Sequence, residues 1–146
     1  MVRVYLDTSV FHRPFDDQSQ AKIFLETQAT ILIFQVIESR QIELVVSEVL
    51  EYEISRNPKQ EQTLFVLTYF RFATHNQTLT PAIKDRAKKL QESGIKLLDA
   101  LHVACAEAAN CNYMLTCDRR LINRCTSLTI SVLNPVDFIL ELGNEG

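Results

Sequence analysis

Glycine and proline are scarce, three and four in 146 residues. With so few breakers, and no linker, internal repeat or low-complexity stretch, the chain reads as one domain over residues 1–146. Its 47% hydrophobic content is enough for a sizeable core. Long apolar runs are missing as well. Nothing approaches the roughly 20 residues that span a bilayer, and the N-terminus has neither the basic start nor the unbroken apolar segment of a signal peptide. A soluble, cytoplasmic protein with no membrane partner is expected. Closely spaced cysteines are also lacking: Cys105, Cys111, Cys117 and Cys125 lie too far apart for the paired ligands of a zinc site and are too few to staple a small secreted scaffold. Buried free thiols are the expectation. Nor is there an excess of positive charge. Fifteen Lys and Arg against eighteen Asp and Glu leave a net charge of -3, so a nucleic-acid ligand would need a local basic surface or metal ions to offset its phosphates.

What is present is an alternation of short strands and helices. Residues 2–6 read as a strand, followed by polar turn-forming residues. A long helix then runs from near Ser19 to about Arg40, with Ile23, Phe24, Ile31, Phe34 and Ile37 at helical spacing. Residues 43–46 form a second strand, and Ser47 caps a helix that Asn57-Pro58 stops. The segment from Gln60 to about Thr74, rich in aromatic residues, reads as a helix and a candidate interface. Thr80-Pro81 starts a helix that Gly94 ends. A helix from Asp99 to about Asn110, a strand at 113–116, a short helix after Asp118, a strand at 129–133 and a helix from Asn134-Pro135 complete the chain. This pattern predicts an α/β domain with a mainly parallel central sheet and helices on both faces.

Four acids stand in settings unusual for surface charge: Asp7, Glu53, Asp99 and Asp118. Asp7 and Asp118 end strand-like runs and should project from the carboxyl edge of the sheet, where such folds bind ligands. Each could also serve only its local backbone, Asp7 by starting a turn and Asp118 by capping a helix. Asp99 is expected to cap the helix Ala100-Leu101-His102-Val103-Ala104-Cys105-Ala106, apolar on nearly every face and therefore buried. At about 100° per residue, Glu53 falls between Val49 and Leu50 on the apolar arc of its helix, whereas Glu48 and Glu51 fall on the solvated side with Tyr52 and Ser55. A carboxylate on a core-facing arc needs a partner, and a metal or a hydrogen-bond donor is the usual one. Thr116 adds a hydroxyl beside Asp118. His102 reads as a hydrogen-bonded core residue, and His12 and His75 have no companions.

On these residues the chain resembles the PIN-domain family, the fold of the toxin ribonucleases in bacterial and archaeal VapBC toxin-antitoxin pairs. The resemblance rests on Val4-Tyr5-Leu6-Asp7-Thr8-Ser9, on Leu44-Val45-Val46-Ser47 leading to Glu53, on Leu98-Asp99-Ala100-Leu101-His102-Val103-Ala104, and on Leu115-Thr116-Cys117-Asp118. It covers nearly the whole length as a single PIN-like domain. Three features depart from the best-known toxins: Cys117 stands where many have an aromatic or small residue, the aromatic segment at 60–74 is longer than a minimal toxin needs, and Phe11-His12-Arg13-Pro14-Phe15-Asp16-Asp17 looks like a separate PIN subgroup.

The resemblance implies an acidic quartet of Asp7, Glu53, Asp99 and Asp118, with Asp7 and Asp99 as direct metal ligands, Thr8 or Ser9 and Thr116 in support, and Glu51 as the fallback for Glu53. Hard oxygen ligands favour Mg²⁺ or Mn²⁺. The implied activity is metal-dependent hydrolysis of RNA to a 5′-phosphate and a 3′-hydroxyl, with a homodimer and, in the toxin case, a small antitoxin as partners. Arg119, Arg120 and Arg124 are candidate phosphate contacts, ahead of Lys84, Arg86, Lys88 and Lys89. Phe65, Tyr69, Phe70 and Phe72 are candidates for partner contacts. The rival reading is a PIN-like module that binds RNA or protein without cutting. A phosphatase with an aspartyl nucleophile is disfavoured, because the second acid expected two residues after it is Ser9.

Overall fold

Strands buried on both faces must be apolar nearly throughout, and Val4, Tyr5, Leu6, Leu44, Val45, Met114 and Leu115 are all fully buried. In a computed structural model, which describes residues 1–145, these residues build one parallel five-stranded sheet. Its strands are β1 (Arg3–Leu6), β2 (Glu43–Ser47), β3 (Ala73–Gln77), β4 (Tyr113–Leu115) and β5 (Ser131–Leu133), in the order β3-β2-β1-β4-β5. The connecting helices are α1 (Thr8–His12), α2 (Ala21–Glu38), α3 (Glu48–Ser55), α4 (Gln60–Phe70), α5 (Pro81–Glu92), α6 (Leu97–Ala108), α7 (Arg119–Arg124) and α8 (Pro135–Glu145). A 3₁₀ turn, Arg13–Phe15, follows α1. Gly146, the last residue of the expected domain, lies outside the described residues.

Side chains alternate across a strand, so the sheet separates two apolar layers. Tyr5, Val45, Met114 and Val132 pack against residues of α5 and α6 such as Ile83, Leu90 and Val103. Val4, Leu6, Leu44, Val46 and Leu115 face Phe11, Ile33, Ile37, Val66 and Phe138. All four cysteines are buried free thiols, as expected. Among the described residues no helix is long and apolar enough to cross a membrane.

Three local expectations need correction. β3 is a strand although residues up to Thr74 read as helix; its sequence, Ala-Thr-His-Asn-Gln, has no apolar alternation because it lies at the sheet edge with its middle residues exposed. A polar edge strand also discourages pairing with other chains. The residues after Asp7 form α1 rather than a simple turn. The aromatic residues of α4 turn inward: Tyr69 stacks on Phe34 at 4.2 Å between ring centroids, and Phe65 meets Phe34 edge-on at 5.6 Å. The exposed apolar groups are instead Leu64 and Leu67 on α4, with Phe24, Leu25, Ile31 and Leu32 on α2.

Candidate active site

The strand order reverses between β1 and β4, which lie side by side at the centre of the sheet. Chains leaving two such strands diverge to opposite sides and open a crevice at the carboxyl edge. Asp7 follows β1, Thr116 and Asp118 follow β4, and the Asp7 N–H donates to the Leu115 carbonyl at 3.1 Å, tying the two corners together.

Asp7 is buried at 5% exposure. Its Oδ1 accepts from the Ser9 hydroxyl at 2.5 Å and from the Val10 N–H at 3.3 Å, so it also caps α1. Ser9 is 3.4 Å from the Thr116 hydroxyl and accepts from the Cys117 N–H at 3.0 Å. Burial pushes the Asp7 carboxyl above its ordinary value, against the opposing effect of the Ser9 and Thr116 hydroxyls.

Asp99 does not cap its helix. Lys96 occupies the cap position, without a capping side chain, and Asp99 lies in the first turn of α6. Freed from the backbone, its half-buried carboxyl is raised by burial and then by the negative charges of Asp7, Asp118 and Glu53, with His102 opposing. Asp99 therefore lies within electrostatic reach of each of the other three acids. Asp118 does cap α7, accepting from the N–H groups of Arg120 at 2.9 Å and Leu121 at 3.4 Å.

Glu53 is half-buried, and Glu48 and Glu51 are exposed, as the helical wheel predicts. Burial alone would raise its carboxyl; the hydrogen bond and charge of His102, with help from Thr8, outweigh that and hold it below the ordinary range. His102 Nε2 bonds Glu53 Oε1, and Thr8 donates to the same oxygen at 3.2 Å. On its other side His102 Nδ1 meets the Tyr5 hydroxyl at 2.5 Å, which in turn lies 2.6 Å from Ser47. A consistent assignment has Ser47 donating to Tyr5, Tyr5 to Nδ1 and Nε2–H to Glu53. His102 is a hydrogen-bonded core residue, as expected, but it also reaches into the site. A helix-period reading could have placed it one turn after Asp99; its link to Glu53, 49 residues away, needed the fold.

Asp99 and Asp118 line a cleft of about 90 Å³ with Lys96, Arg120 and Arg124. Arg124 is seated by Gly94: at φ +98°, a Cβ there would lie 2.1 Å from an Arg124 guanidinium nitrogen. Arg120 and Arg124 thus border the acids, and Arg119 lies on the far side of the Asp118 corner. Arg86 on α5 is engaged with Glu107 through two bonds of 2.8 and 3.1 Å, whereas Lys84, Lys88 and Lys89 are exposed.

A family profile described as the PIN domain matches residues 4–126. The chain belongs to the PIN-domain family. Solved structures with the same PIN fold include VapBC2 from Rickettsia felis bound to a promoter DNA fragment, at TM-score 0.59 and 12% identity over 91% of this chain and 98% of that one. A toxin-antitoxin complex from Klebsiella pneumoniae gives 0.57 and 18%, over 90% and 97%. PAE2754 from Pyrobaculum aerophilum gives 0.56 and 14%, over 99% and 91%. At these identities the likeness concerns the fold. No curated protein sequence matches the chain.

The donor chemistry of the PIN site suits a hard divalent cation. Its carboxylates repel one another, and among the described residues Asp7, Asp99 and Asp118 form no ion pair with Lys or Arg. As the side chains stand, no three His, Cys, Asp or Glu among the described residues are close enough to hold a metal ion. Three of the four acids are otherwise engaged, Asp7 by Ser9 and its helix cap, Glu53 by His102 and Thr8, and Asp118 by its helix cap.

Proposed function

We propose that this PIN domain is a divalent-metal-dependent ribonuclease that hydrolyses RNA phosphodiester bonds. The observation that carries the reading is Asp99: a carboxyl on the buried helix α6, free of its cap, that feels Asp7, Glu53 and Asp118 together at the switch point of the sheet. Asp7 and Asp99 are the direct ligands for Mg²⁺ or Mn²⁺, with Glu53 and Asp118 completing the acidic quartet. Bound there, the ion would activate water for in-line attack and offset charge on the leaving oxygen. Ser9 and Thr116 orient Asp7, His102 and Thr8 orient Glu53, and Arg120 and Arg124 take substrate phosphates.

The test is RNA incubated with the purified protein and Mn²⁺ or Mg²⁺, with Asp7→Asn and Asp99→Asn as controls. Cleavage to 5′-phosphate and 3′-hydroxyl ends, lost in both variants, is expected. No cleavage under any metal condition, or cleavage indifferent to both substitutions, refutes the reading. The second reading, a module that binds RNA or protein without cutting, is favoured by one observation, the engagement of Asp7, Glu53 and Asp118 by other partners. Binding of RNA with no cleavage would select it.

The toxin-antitoxin assemblies among the structural neighbours support a small antitoxin as partner. The exposed apolar side chains of α2 and α4 offer a surface for it or for a homodimer.

A further inference from the structure

Tyr5 stands in the middle of β1 and is fully buried. Its ring packs in the apolar layer with Val45, Met114 and Val103, a task that phenylalanine would perform as well. The hydroxyl is the surplus, and a hydroxyl buried this deeply needs bonded partners. It lies 2.5 Å from His102 Nδ1 and 2.6 Å from Ser47 Oγ. Ser47, at the end of β2, accepts from the Leu50 N–H at 3.1 Å as the cap of α3, which leaves its own proton to donate to Tyr5.

The far end of this chain fixes its direction. His102 Nε2 bonds the Glu53 carboxylate, and an ionised carboxylate only accepts, so the ring proton belongs on Nε2. In a neutral imidazole the other nitrogen then accepts, and the Tyr5 hydroxyl is the group that reaches it. Both donors to Glu53, His102 Nε2 and the Thr8 hydroxyl at 3.2 Å, take the same oxygen, Oε1. Oε2 accepts from no described residue and is not sealed from solvent. The bonded side of the pair is closed and the other side open: the His102 side chain is 2% exposed and the Glu53 side chain 23%.

We propose that Tyr5 is a positioning residue of the acidic site: by donating to Nδ1 it holds the His102 ring with its proton on Nε2, so that Glu53 commits Oε1 to the protein and presents Oε2 to the divalent ion. Tyr5 touches neither ion nor RNA and acts only through His102. Which nitrogen of a histidine carries the proton is set by the bond the other makes, and partners that orient a metal ligand in this way govern its affinity. A relay serving the core alone would make the loss of the hydroxyl costly to stability and indifferent to the ion. The inference rests on the metal-dependent reading for what Oε2 faces, whereas the state of the ring is read without metal or RNA.

NMR spectra of the full chain with isotope-labelled histidine are recorded in metal-free buffer, and Mn²⁺ is then titrated in and followed by paramagnetic broadening of the His102 ring signals. In the wild type the proton is expected on Nε2, with Nδ1 shifted as an acceptor. In Tyr5→Phe the Nδ1 signal should lose that shift, Nε2–H should exchange faster with water, and Mn²⁺ affinity should fall by about tenfold, the lower end of the range for partners that orient a metal ligand. Thr80→Ala, which weakens the fold at the α5 cap and outside the relay, should leave Mn²⁺ affinity unchanged. A proton on Nδ1, or on both nitrogens, in the wild type overturns the proposal, and that spectrum decides alone if Tyr5→Phe does not fold. Equal Mn²⁺ affinity in Tyr5→Phe and wild type, or the same loss in Thr80→Ala, reduces the relay to a structural one and also overturns it. Wild-type signals that Mn²⁺ leaves sharp overturn the assignment of Oε2 to an ion. A tenfold split in Mn²⁺ affinity, with a wild type that does not cut RNA, upholds the role of Tyr5 and refutes the ribonuclease reading instead.

Discussion

Replacing His102 by Phe tests the link between the core and the site. His102 is 1% exposed and bonded on both ring nitrogens. A phenyl ring keeps most of the volume, so the loss is polar. The Tyr5 hydroxyl keeps Ser47 but loses one partner, a change of about 0.5–1.5 kcal/mol, and the bond to the Glu53 carboxylate is worth about 1.5–3 kcal/mol. The sum is about 2–4 kcal/mol. For a chain of this size, where 1 kcal/mol moves Tm by about 2–4 °C, the melting temperature should fall by roughly 5–15 °C at neutral pH. The pH dependence has a definite sign. Glu53 is held below its ordinary value in the folded state, so its contribution is present above the unfolded carboxylate pKa and is lost as pH falls through the folded one. The Glu53 share of the gap between variant and wild type should close in acid. Without His102, burial of Glu53 is opposed only by Thr8 and more distant groups, and the acid limb of RNA cleavage should move to higher pH. A variant that melts with the wild type, or whose acid limb does not move, would refute the role given to His102.

Three further outcomes follow. Asp7 and Asp99 have folded-state carboxyls raised by burial, so in metal-free buffer each ionised group destabilises the fold increasingly as pH rises through the carboxylate range; Asp99→Asn should melt no lower than wild type at pH 7, and Mn²⁺ should raise the Tm of wild type only. Gly94→Ala combines strain at φ +98° with displacement of Arg124; it should cost about 1 kcal/mol or more in a urea melt and reduce RNA cleavage to the same degree as Arg124→Ala. Thr80→Ala removes the α5 cap, whose hydroxyl accepts from Ile83 N–H at 3.2 Å; a loss of about 1 kcal/mol with cleavage unchanged is expected, and a loss of cleavage would show that α5 contributes to the site.

The parts of the fold legible in the sequence are those with a strong local signature. The apolar runs of β1, β2 and β4, the extent of α2, and the Ser47 and Thr80 caps appear where pattern and capping chemistry put them, although Phe24 and Ile31, read as part of the α2 period, are exposed. β3 was not legible because its pairing is a backbone matter that polar side chains do not advertise. Asp99 was misplaced as a cap because Leu97 and Leu98, which precede it, already belong to the helix although exposed.

By itself the sequence determined the residue types and their local settings: acids at two strand ends, one on an apolar helical arc and one at the start of a buried helix. Those settings depend on neighbours a few positions away. Tertiary structure decided which of them meet. Reversal of strand order between β1 and β4 brings Asp7 beside the Asp118 corner, α3 and α6 carry Glu53 and Asp99 to the same edge, and His102 joins Glu53 to Tyr5 and Ser47. Charges felt at that edge come from residues as many as 111 positions apart, and Coulomb interaction depends on separation in space rather than along the chain.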